Sequence, residues 1–231
     1  MNIAIIGDIH GNKDALVAML SEAKKLKVQL ILITGDIVGY YPFVKEVLEL
    51  LKNWNTVIVK GNHEEILKNS LADQSFLEQT TIKYGSGLEE SIRELSNDEI
   101  KFLTNLPHPM ELEIEQKNIL LAHGSPVDVN EYIYPDCEIS KLAWLENIEC
   151  DILICGHTHY PMKKFHKNKI ILNPGSIGQP RNKGSGANWI LYDTLNDTFT
   201  FKVTKYDISN VVKWAKKNNP NMTYLHKVFT R

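Results

Sequence analysis

Cysteine and long apolar runs are both scarce in this chain of 231 residues. The three cysteines, Cys137, Cys150 and Cys155, form no CxxC pair. An odd count fits a disulfide framework poorly and favours reduced, buried thiols. No stretch approaches about 18 consecutive apolar residues, so no transmembrane helix and no membrane partner are predicted. Since the N-terminus also lacks a basic segment followed by a long apolar one, we predict no signal peptide and a cytoplasmic protein.

A strong charge of either sign is lacking as well. The formal net charge is -2, from 26 Lys and Arg against 28 Asp and Glu. With this balance the protein as a whole has no positive electrostatic potential that would attract nucleic acid. The sequence also has no basic stretch with interspersed aromatic residues, so we expect no long nucleic acid as a partner. A short oligonucleotide stays open, and the oligomeric state is not predicted. The P-loop and GxGxxG motifs are absent, which leaves kinase and dehydrogenase functions without support.

What the chain does contain is a series of short runs rich in Ile, Leu and Val. These predicted strands cover residues 2–6, 30–33, 56–59, 119–122, 152–155 and 169–172. Apolar residues at helical spacing predict helices between and after them, at 12–26, 43–52, 139–145 and 208–217. Strands that alternate with helices indicate an α/β protein with parallel pairing.

Two features depart from this alternation. Residues 64–106 have a polar, mostly helical pattern with no clear strand. We interpret them as an insertion or flank of a single domain that spans residues 1–231. Hairpins are predicted at 110–122 and 189–205, where apolar segments are separated by short polar turns.

Polar side chains follow the strands at the points where each strand ends. The motifs are Asp8-Ile9-His10, Gly35-Asp36, Gly61-Asn62-His63-Glu64, His123-Gly124 and Gly156-His157-Thr158-His159. Each alone has an ordinary explanation, such as a solvated turn, a helix cap or a packed histidine. Together they place five of the eight histidines in a few loops. Because the carboxyl ends of parallel strands meet at one edge of a sheet, we expect these side chains to converge.

In sequence order, these motifs resemble those of the calcineurin-like metallophosphoesterase superfamily, especially its small bacterial and archaeal phosphodiesterase-like members. The resemblance extends over residues 1–180. It implies the metallophosphatase fold, a four-layer α/β/β/α sandwich of two mixed sheets flanked by helices, with the site at one edge of the paired sheets. It also implies two divalent metal ions per chain. The implied ligands are Asp8, His10 and His159 for one metal, Asn62, His123 and His157 for the other, and Asp36 for both.

The donor set suits phosphoester chemistry. A carboxylate such as Asp36 offers two oxygens and a negative charge, which reduces the repulsion between two dications. Two adjacent metals can hold phosphate oxygens and generate a bound hydroxide for in-line attack. The resemblance implies that His63 is not a ligand and is aimed at the substrate phosphate and the leaving oxygen. Mixed oxygen and nitrogen ligands without Cys suit Mn, Fe, Zn, Ni or Co, and we favour manganese.

The second motif bears on the substrate class. Phosphoprotein phosphatases of the superfamily normally extend it to Gly-Asp-x-x-Asp-Arg-Gly, whereas this chain continues Gly35-Asp36-Ile37-Val38-Gly39-Tyr40-Tyr41 without an arginine. We therefore predict hydrolysis of a small-molecule or nucleotide phosphodiester by metal-bound hydroxide. Phosphomonoesterase or protein phosphatase activity is the alternative, because Arg181 could supply the missing cation. A non-catalytic scaffold on the same fold is a further alternative.

Two more side chains are candidates for substrate binding besides Arg181. Asn12 follows the first motif, although it also sits where a helix N-cap belongs. Tyr40 could stack on a nucleobase, although packing beside the loop would explain it equally well.

Overall fold

The computed structural model describes residues 1–183 and 186–230. The strands of this part of the chain are β1 (Asn2–Ile6), β2 (Leu30–Ile33), β3 (Thr56–Ile58), β4 (Met110–Ile114), β5 (Lys117–Leu121), β6 (Ile152–Ile154), β7 (Pro161–His166), β8 (Lys169–Pro174), β9 (Ala187–Asp193) and β10 (Thr198–Thr204). The α helices are α1 (Lys13–Lys25), α2 (Val44–Leu51), α3 (Asn62–Ala72), α4 (Gln74–Tyr84), α5 (Gly87–Glu94), α6 (Asn97–Thr104), α7 (Ser209–Asn218) and α8 (Tyr224–Lys227).

These strands form two five-stranded sheets. Their strand orders are β10-β9-β1-β2-β3 and β4-β5-β6-β8-β7. Three neighbouring strands run parallel in each sheet, β1-β2-β3 in the first and β5-β6-β8 in the second. The remaining strands pair antiparallel, so both sheets are mixed. The predicted α/β class with two mixed sheets is confirmed.

Alternating side chains on the strands build two separate core layers. Ile3 and Ile5 of β1 pack with Ile119 of β5 in the layer between the sheets. Ile6 of β1 points the other way and packs with Leu16 of α1. This division follows from the two-residue period of a strand, which sends successive side chains to opposite faces. The helices therefore cover the outer face of the first sheet.

The outer face of the second sheet is covered differently from the prediction. Two short 3-10 helices, Ile139–Lys141 and Ala143–Asn147, lie where the sequence predicted an α helix at 139–145. Apolar residues in this segment recur every three positions, at 139, 142 and 145, which matches the three residues per turn of a 3-10 helix. Leu145 packs with Leu153 of β6 in a third apolar layer.

The polar segment at 64–106 consists of α3 to α6 and is mostly helical, as its pattern predicted. Leu67, Leu88 and Leu103 of these helices are buried in the same core layer as α1. The segment is thus packed as a flank of the first sheet.

The chain ends in a helical segment that docks near the carboxyl end of β2. This C-terminal segment comprises α7, α8 and a 3-10 turn at Val228–Thr230. Tyr41 packs its ring 5.9 Å from that of Phe229, and its hydroxyl donates to the Leu225 carbonyl at 2.8 Å. None of the helices in the described ranges has the length and apolar character needed to cross a membrane.

Candidate metal centre

Tight turns at the strand ends bring the predicted ligands together. Five of these residues have a left-handed backbone, with φ of 52° at Asp8, 50° at His10, 53° at Asp36, 67° at His157 and 62° at His159. Non-glycine residues rarely adopt this conformation, and such residues gather where the surrounding structure fixes a functional site. All five side chains are buried. The turns therefore point charged and polar groups inward at the edge where the parallel strands end.

The first cluster consists of Asp8, His10, Asp36 and His159. His159 Nε2 lies 3.2 Å from Asp8 Oδ1 and 3.1 Å from His10 Nε2. Asp36 Oδ2 lies 3.6 Å from His10 Nε2. Two carboxylates and two imidazoles therefore face a common point.

The second cluster consists of Asp36, His123 and His157, with Asn62 beside them. His123 Nε2 lies 3.4 Å from Asp36 Oδ2, 3.1 Å from His157 Nδ1 and 3.0 Å from Asn62 Oδ1. Because Asp36 belongs to both clusters, the two candidate metal positions are adjacent.

The hydrogen bonds of the histidines fit these residues to cations. The Nδ1 atoms of His10, His123 and His159 lie 3.0, 2.7 and 2.7 Å from the carbonyls of Val38, Thr34 and Gln179. A carbonyl can only accept, so each Nδ1 carries a proton and each Nε2 faces its cluster, where it can bind a cation when it carries no proton itself. Among the residues that the structure describes, Asp8 Oδ1 is buried and has no hydrogen-bond partner. A divalent cation would pair with the imidazole nitrogens that face each cluster and with this unpaired carboxylate oxygen.

Burial and charge set the protonation of the metal-free clusters. Burial lowers the pKa of His10 well below its ordinary value and that of His157 to about 4. Burial also opposes a proton on His123, but the Asp36 carboxylate outweighs it and raises the pKa of His123 to about 9. Metal ligands must be deprotonated, so metal binding at the second cluster would release a proton from His123.

The Glu64 side chain connects the second and third motifs by hydrogen bonds. One oxygen accepts from the backbone N–H groups of Asp36 at 2.9 Å and Gly61 at 2.7 Å. The other accepts from those of Ile37 at 2.8 Å and Val38 at 3.2 Å. Burial and the nearby Asp36 carboxylate raise the pKa of Glu64 to about 7, against the effect of these donors. Glu64 is thus a positioning residue whose role the sequence motif alone did not indicate.

The end of β8 and the loop that follows it support the turns of the centre. Asn173 donates to the Gly156 carbonyl at 2.6 Å and to Thr158 Oγ1 at 3.1 Å, which fixes the turn that carries His157 and His159. Ser176 Oγ donates to the Asp8 carbonyl at 2.7 Å.

One glycine beside the centre is required by close packing. Gly39 has φ of +142°, and a Cβ there would lie 2.4 Å from His10 Nδ1 and 2.9 Å from His63 Nδ1. Any larger residue would displace one of the two imidazoles, so Gly39 is the position that lets both rings lie side by side.

A narrow cleft opens above the clusters. Its wall includes His63, Tyr40, Tyr84, Tyr132 and Arg181. The His63 ring lies 4.8 Å from that of His10 and 4.9 Å from that of Tyr84. The centre of the Tyr132 ring lies 4.0 Å from the centre of the His157 ring, which belongs to the second cluster. Arg181 donates to the Tyr40 hydroxyl at 3.4 Å. The structure thus brings His63, Tyr40 and Arg181 to the mouth of the candidate centre.

Asn12 is placed differently from these residues. Its Oδ1 accepts from the Ala15 N–H at the start of α1, while its amide donates to the Gly178 carbonyl and the Tyr206 hydroxyl, both at 3.0 Å. The side chain is fully buried and its polar atoms are engaged within the protein. The geometry is that of a helix cap, as the alternative interpretation of its position predicted.

Several residues of the site carry no local sequence signal. Tyr84 and Tyr132 reach the cleft from α4 and from the segment before the 3-10 helices, and neither belongs to a motif. His108 Nε2 accepts from the His123 backbone N–H at 3.1 Å. These contacts depend on tertiary packing between segments far apart in the sequence.

Comparison with known proteins relates the whole arrangement to one family. The model for the calcineurin-like phosphoesterase superfamily domain matches residues 1–197. The uncharacterized protein MJ0912 of Methanocaldococcus jannaschii is 30% identical in an alignment over 234 residues. This alignment covers 94% of this chain and 92% of that protein. Serine/threonine-protein phosphatase 2 of Escherichia coli is 25% identical over 196 residues, or 78% of this chain and 90% of the phosphatase.

Solved structures share the fold over nearly the full chain. A metallophosphoesterase from Sphaerobacter thermophilus superposes with a TM-score of 0.80 at 26% identity, covering 99% of this chain and 98% of its own. The hypothetical protein PH1004 from Pyrococcus horikoshii superposes with a TM-score of 0.85 at 23% identity, with coverage of 99% and 97%.

Proposed function

The chain belongs to the calcineurin-like phosphoesterase superfamily, and we propose that it is a two-metal enzyme that hydrolyses small-molecule or nucleotide phosphodiesters. The observation that carries this proposal is the pair of clusters that share Asp36 beneath an arginine-lined cleft. We also place the enzyme in the cytoplasm, since its three cysteines are unpaired.

The residues that would hold the metals follow from the two clusters. Asp8, His10 and His159 would hold one ion, Asn62, His123 and His157 the other, and Asp36 both. Bound there, two divalent ions supply a Lewis acid for phosphate oxygens and an activated water at neutral pH. The mixed oxygen and nitrogen donors suit Mn, Fe, Zn, Ni or Co, and manganese is the metal we favour.

His63 would act on the substrate and not on the metals. Its backbone N–H donates to Asp36 Oδ1 at 2.8 Å, which ties its position to the shared carboxylate. Burial lowers the pKa of its ring to about 4, so the imidazole is neutral at pH 7 in the metal-free protein. A neutral imidazole still has one N–H, which can donate to a phosphate oxygen as charge develops there.

Arg181 would orient the phosphate at the mouth of the cleft. Its contact with the Tyr40 hydroxyl holds the guanidinium at the mouth of the centre. The planar fork of an arginine suits two oxygens of one phosphate. Tyrosine rings surround this position and favour an ester with an organic group over a bare phosphate. We prefer a diester substrate because of these rings, since a diester brings a second organic group to the cleft.

Phosphomonoesterase activity, including activity on a phosphoprotein, is the second candidate. Two observations favour it. Arg181 places a cation at the cleft, although the second motif lacks one. The Escherichia coli relative is named a serine/threonine-protein phosphatase. For a non-catalytic scaffold we find no comparable support, since each predicted ligand position is occupied by a residue able to bind metal.

A comparison of substrates tests the proposal. We would measure kcat/KM for bis(p-nitrophenyl) phosphate, p-nitrophenyl phosphate and a phosphoserine peptide at one Mn²⁺ concentration, with a chelator as the metal-free control. We expect the diester to give the highest value and the chelator to abolish turnover. A clear preference for the peptide would support the second candidate, and turnover of none of the three would refute an enzymatic function.

A further inference from the structure

A second pocket lies beside the cleft and is not used by the chemistry described above. It has a volume of about 220 Å³. Its lining includes Tyr40, Lys83, Tyr84, Gln179, Arg181 and Tyr224. This volume is below the roughly 300 to 1,000 Å³ of sites that hold a whole small molecule, so the pocket would take one part of a ligand, such as a single ring system.

Three tyrosine rings bound this pocket. The Tyr84 ring lies 5.7 Å from that of Tyr40, and the Tyr224 ring 6.2 Å from it, each nearly perpendicular to Tyr40. Two of the hydroxyls are already engaged, because Tyr224 donates to the Lys83 carbonyl at 2.8 Å and Tyr40 accepts from Arg181. Tyr40 is itself buried, so the partly exposed rings of Tyr84 and Tyr224 are the surface that a planar aromatic group could contact.

Two cations accompany the rings. The Lys83 ammonium lies 4.8 Å from the centre of the Tyr84 ring at the exposed side of the pocket. Arg181 lies between the pocket and the cleft, since it lines both. A ligand that carries both a ring and a phosphate would match this pairing of aromatic and cationic groups.

The pocket adjoins the cleft above the metal centre. Tyr40 and Tyr84 line the pocket and also the cleft above the clusters. Gln179, at the wall of the pocket, accepts through its carbonyl from Nδ1 of the ligand His159 at 2.7 Å. An ester group attached to a phosphate at the centre would thus find the pocket directly beside it.

Part of the wall comes from two helical segments outside the paired sheets. Lys83 and Tyr84 end α4, and Tyr224 begins α8. Tyr224 lies beyond residue 197, where the match to the family domain ends. Asn219 fastens the two segments together, because its Oδ1 accepts from the Ser86 N–H at 2.9 Å. Tyr224 is therefore a part of this wall that lies outside the matched domain.

We propose that this pocket binds the nucleobase of a nucleotide ester whose phosphate lies at the metal centre. The position of the phosphate rests on the proposed function, whereas recognition of the base depends only on the pocket. Stacking of a base on an aromatic side chain tolerates different bases, so the pocket selects for a nucleobase and not for one base.

Calorimetric titration tests this assignment without relying on turnover. The protein with Mn²⁺ is titrated with AMP, phenyl phosphate and ribose 5-phosphate, while phosphate release is monitored. AMP should bind about tenfold or more tightly than ribose 5-phosphate, as expected for one stacked base. Tyr224→Leu should remove most of this advantage, whereas Tyr224→Phe, which keeps the ring, should retain it. Phe165→Leu, which removes an exposed ring on β7, serves as the control and should leave AMP binding unchanged.

Each result bears on the pocket separately from the activity. Equal affinities for AMP and ribose 5-phosphate, or binding of neither, would overturn the assignment. An advantage for phenyl phosphate alone would exclude a nucleobase and point to a smaller aryl group. Unchanged AMP affinity in a folded Tyr224→Leu protein would show that the ring does not contact the ligand. If bis(p-nitrophenyl) phosphate is not hydrolysed but AMP still binds more tightly than ribose 5-phosphate, the proposed function is wrong and the assignment of the pocket is supported.

Discussion

The Asp36 carboxylate is the group that the two clusters share. Its Oδ2 lies within 3.6 Å of His10 Nε2 and 3.4 Å of His123 Nε2. Removing its charge would leave two cations at adjacent positions without the anion that separates them, and their mutual repulsion would then oppose double occupancy.

Asp36→Asn should therefore reduce bound metal to one ion per chain or none and abolish turnover. Elemental analysis of the purified variant measures the metal content, and bis(p-nitrophenyl) phosphate measures activity. Asp128→Asn, at an aspartate outside both clusters, is a control and should keep two ions. Two tightly bound ions in Asp36→Asn would rule out the bridging role.

The role assigned to His63 differs from that of the ligands. His63→Ala should retain both metals and lower kcat by on the order of a hundredfold, comparable to the loss of one transition-state donor. His166→Ala, at a histidine on β7 paired with Glu146, should behave like the unmodified enzyme. Metal loss in His63→Ala would assign the residue to the metal centre, and a normal kcat would remove it from the chemistry.

The sequence predicted the cluster residues because their motifs are local and end parallel strands. Asp8 and His10 can be assigned to one edge of the sheet from their spacing of two and their position after β1. Glu64 belongs to the third motif, but its four backbone partners lie in two loops that the sequence does not show to be adjacent. Tyr84 and Tyr224 meet at one pocket only because α4 and α8 pack together, and no local pattern encodes that.

At the scale of elements, Glu64 joins the start of α3 to the turn after β2. In Glu64→Gln one carboxylate oxygen becomes an amide that cannot accept from the two N–H groups it faces. We expect the free energy of unfolding to fall by about 1–3 kcal/mol, the cost of leaving buried donors unpaired. Denaturant unfolding of the metal-free protein measures this change.

Glu65→Gln is the matched control for this prediction. Glu65 is its exposed neighbour and pairs with Lys60 at 3.0 Å. A surface ion pair contributes at most about 1 kcal/mol, so the control should stay close to the unmodified protein. Equal free energies of unfolding for Glu64→Gln and Glu65→Gln would mean that the Glu64 hydrogen bonds do not stabilise the contact between the turn after β2 and the start of α3.

Burial explains which elements could be predicted. Most strands of the parallel layers are largely buried and stand out as continuous apolar runs, so their ends were predicted to within about two residues. β7 was missed because Met162 is its only fully apolar buried residue, while Phe165 is 67% exposed and lysines lie between them. The segment at 139–145 was assigned the wrong helix type because a spacing of three resembles the helical period over so short a length.

At the scale of the whole molecule, the C-terminal segment and α4–α5 form a wall beside the metal centre. Asn219 joins them through Ser86, and the Trp214 indole donates to Glu90 Oε2 at 2.9 Å. The wall therefore depends on contacts between residues more than a hundred positions apart in the chain.

Asn219→Ala should lower the free energy of unfolding by about 1–3 kcal/mol, because the partly buried Ser86 N–H loses its acceptor. The adjacent Asn218→Ala is the control, since that exposed side chain donates only to Trp214 in its own helix. Its effect should stay within about 0.5 kcal/mol. Thermal or denaturant unfolding of both variants measures the difference, and equal stabilities would show that Asn219 does not hold the segments together.

The central claim is that two metals act together at the paired clusters. Titrating Mn²⁺ into the metal-free protein while following hydrolysis of bis(p-nitrophenyl) phosphate tests it most directly. We predict that activity is absent without metal and reaches its maximum at two equivalents per chain. Full activity at one equivalent, or no hydrolysis at two, would contradict the account.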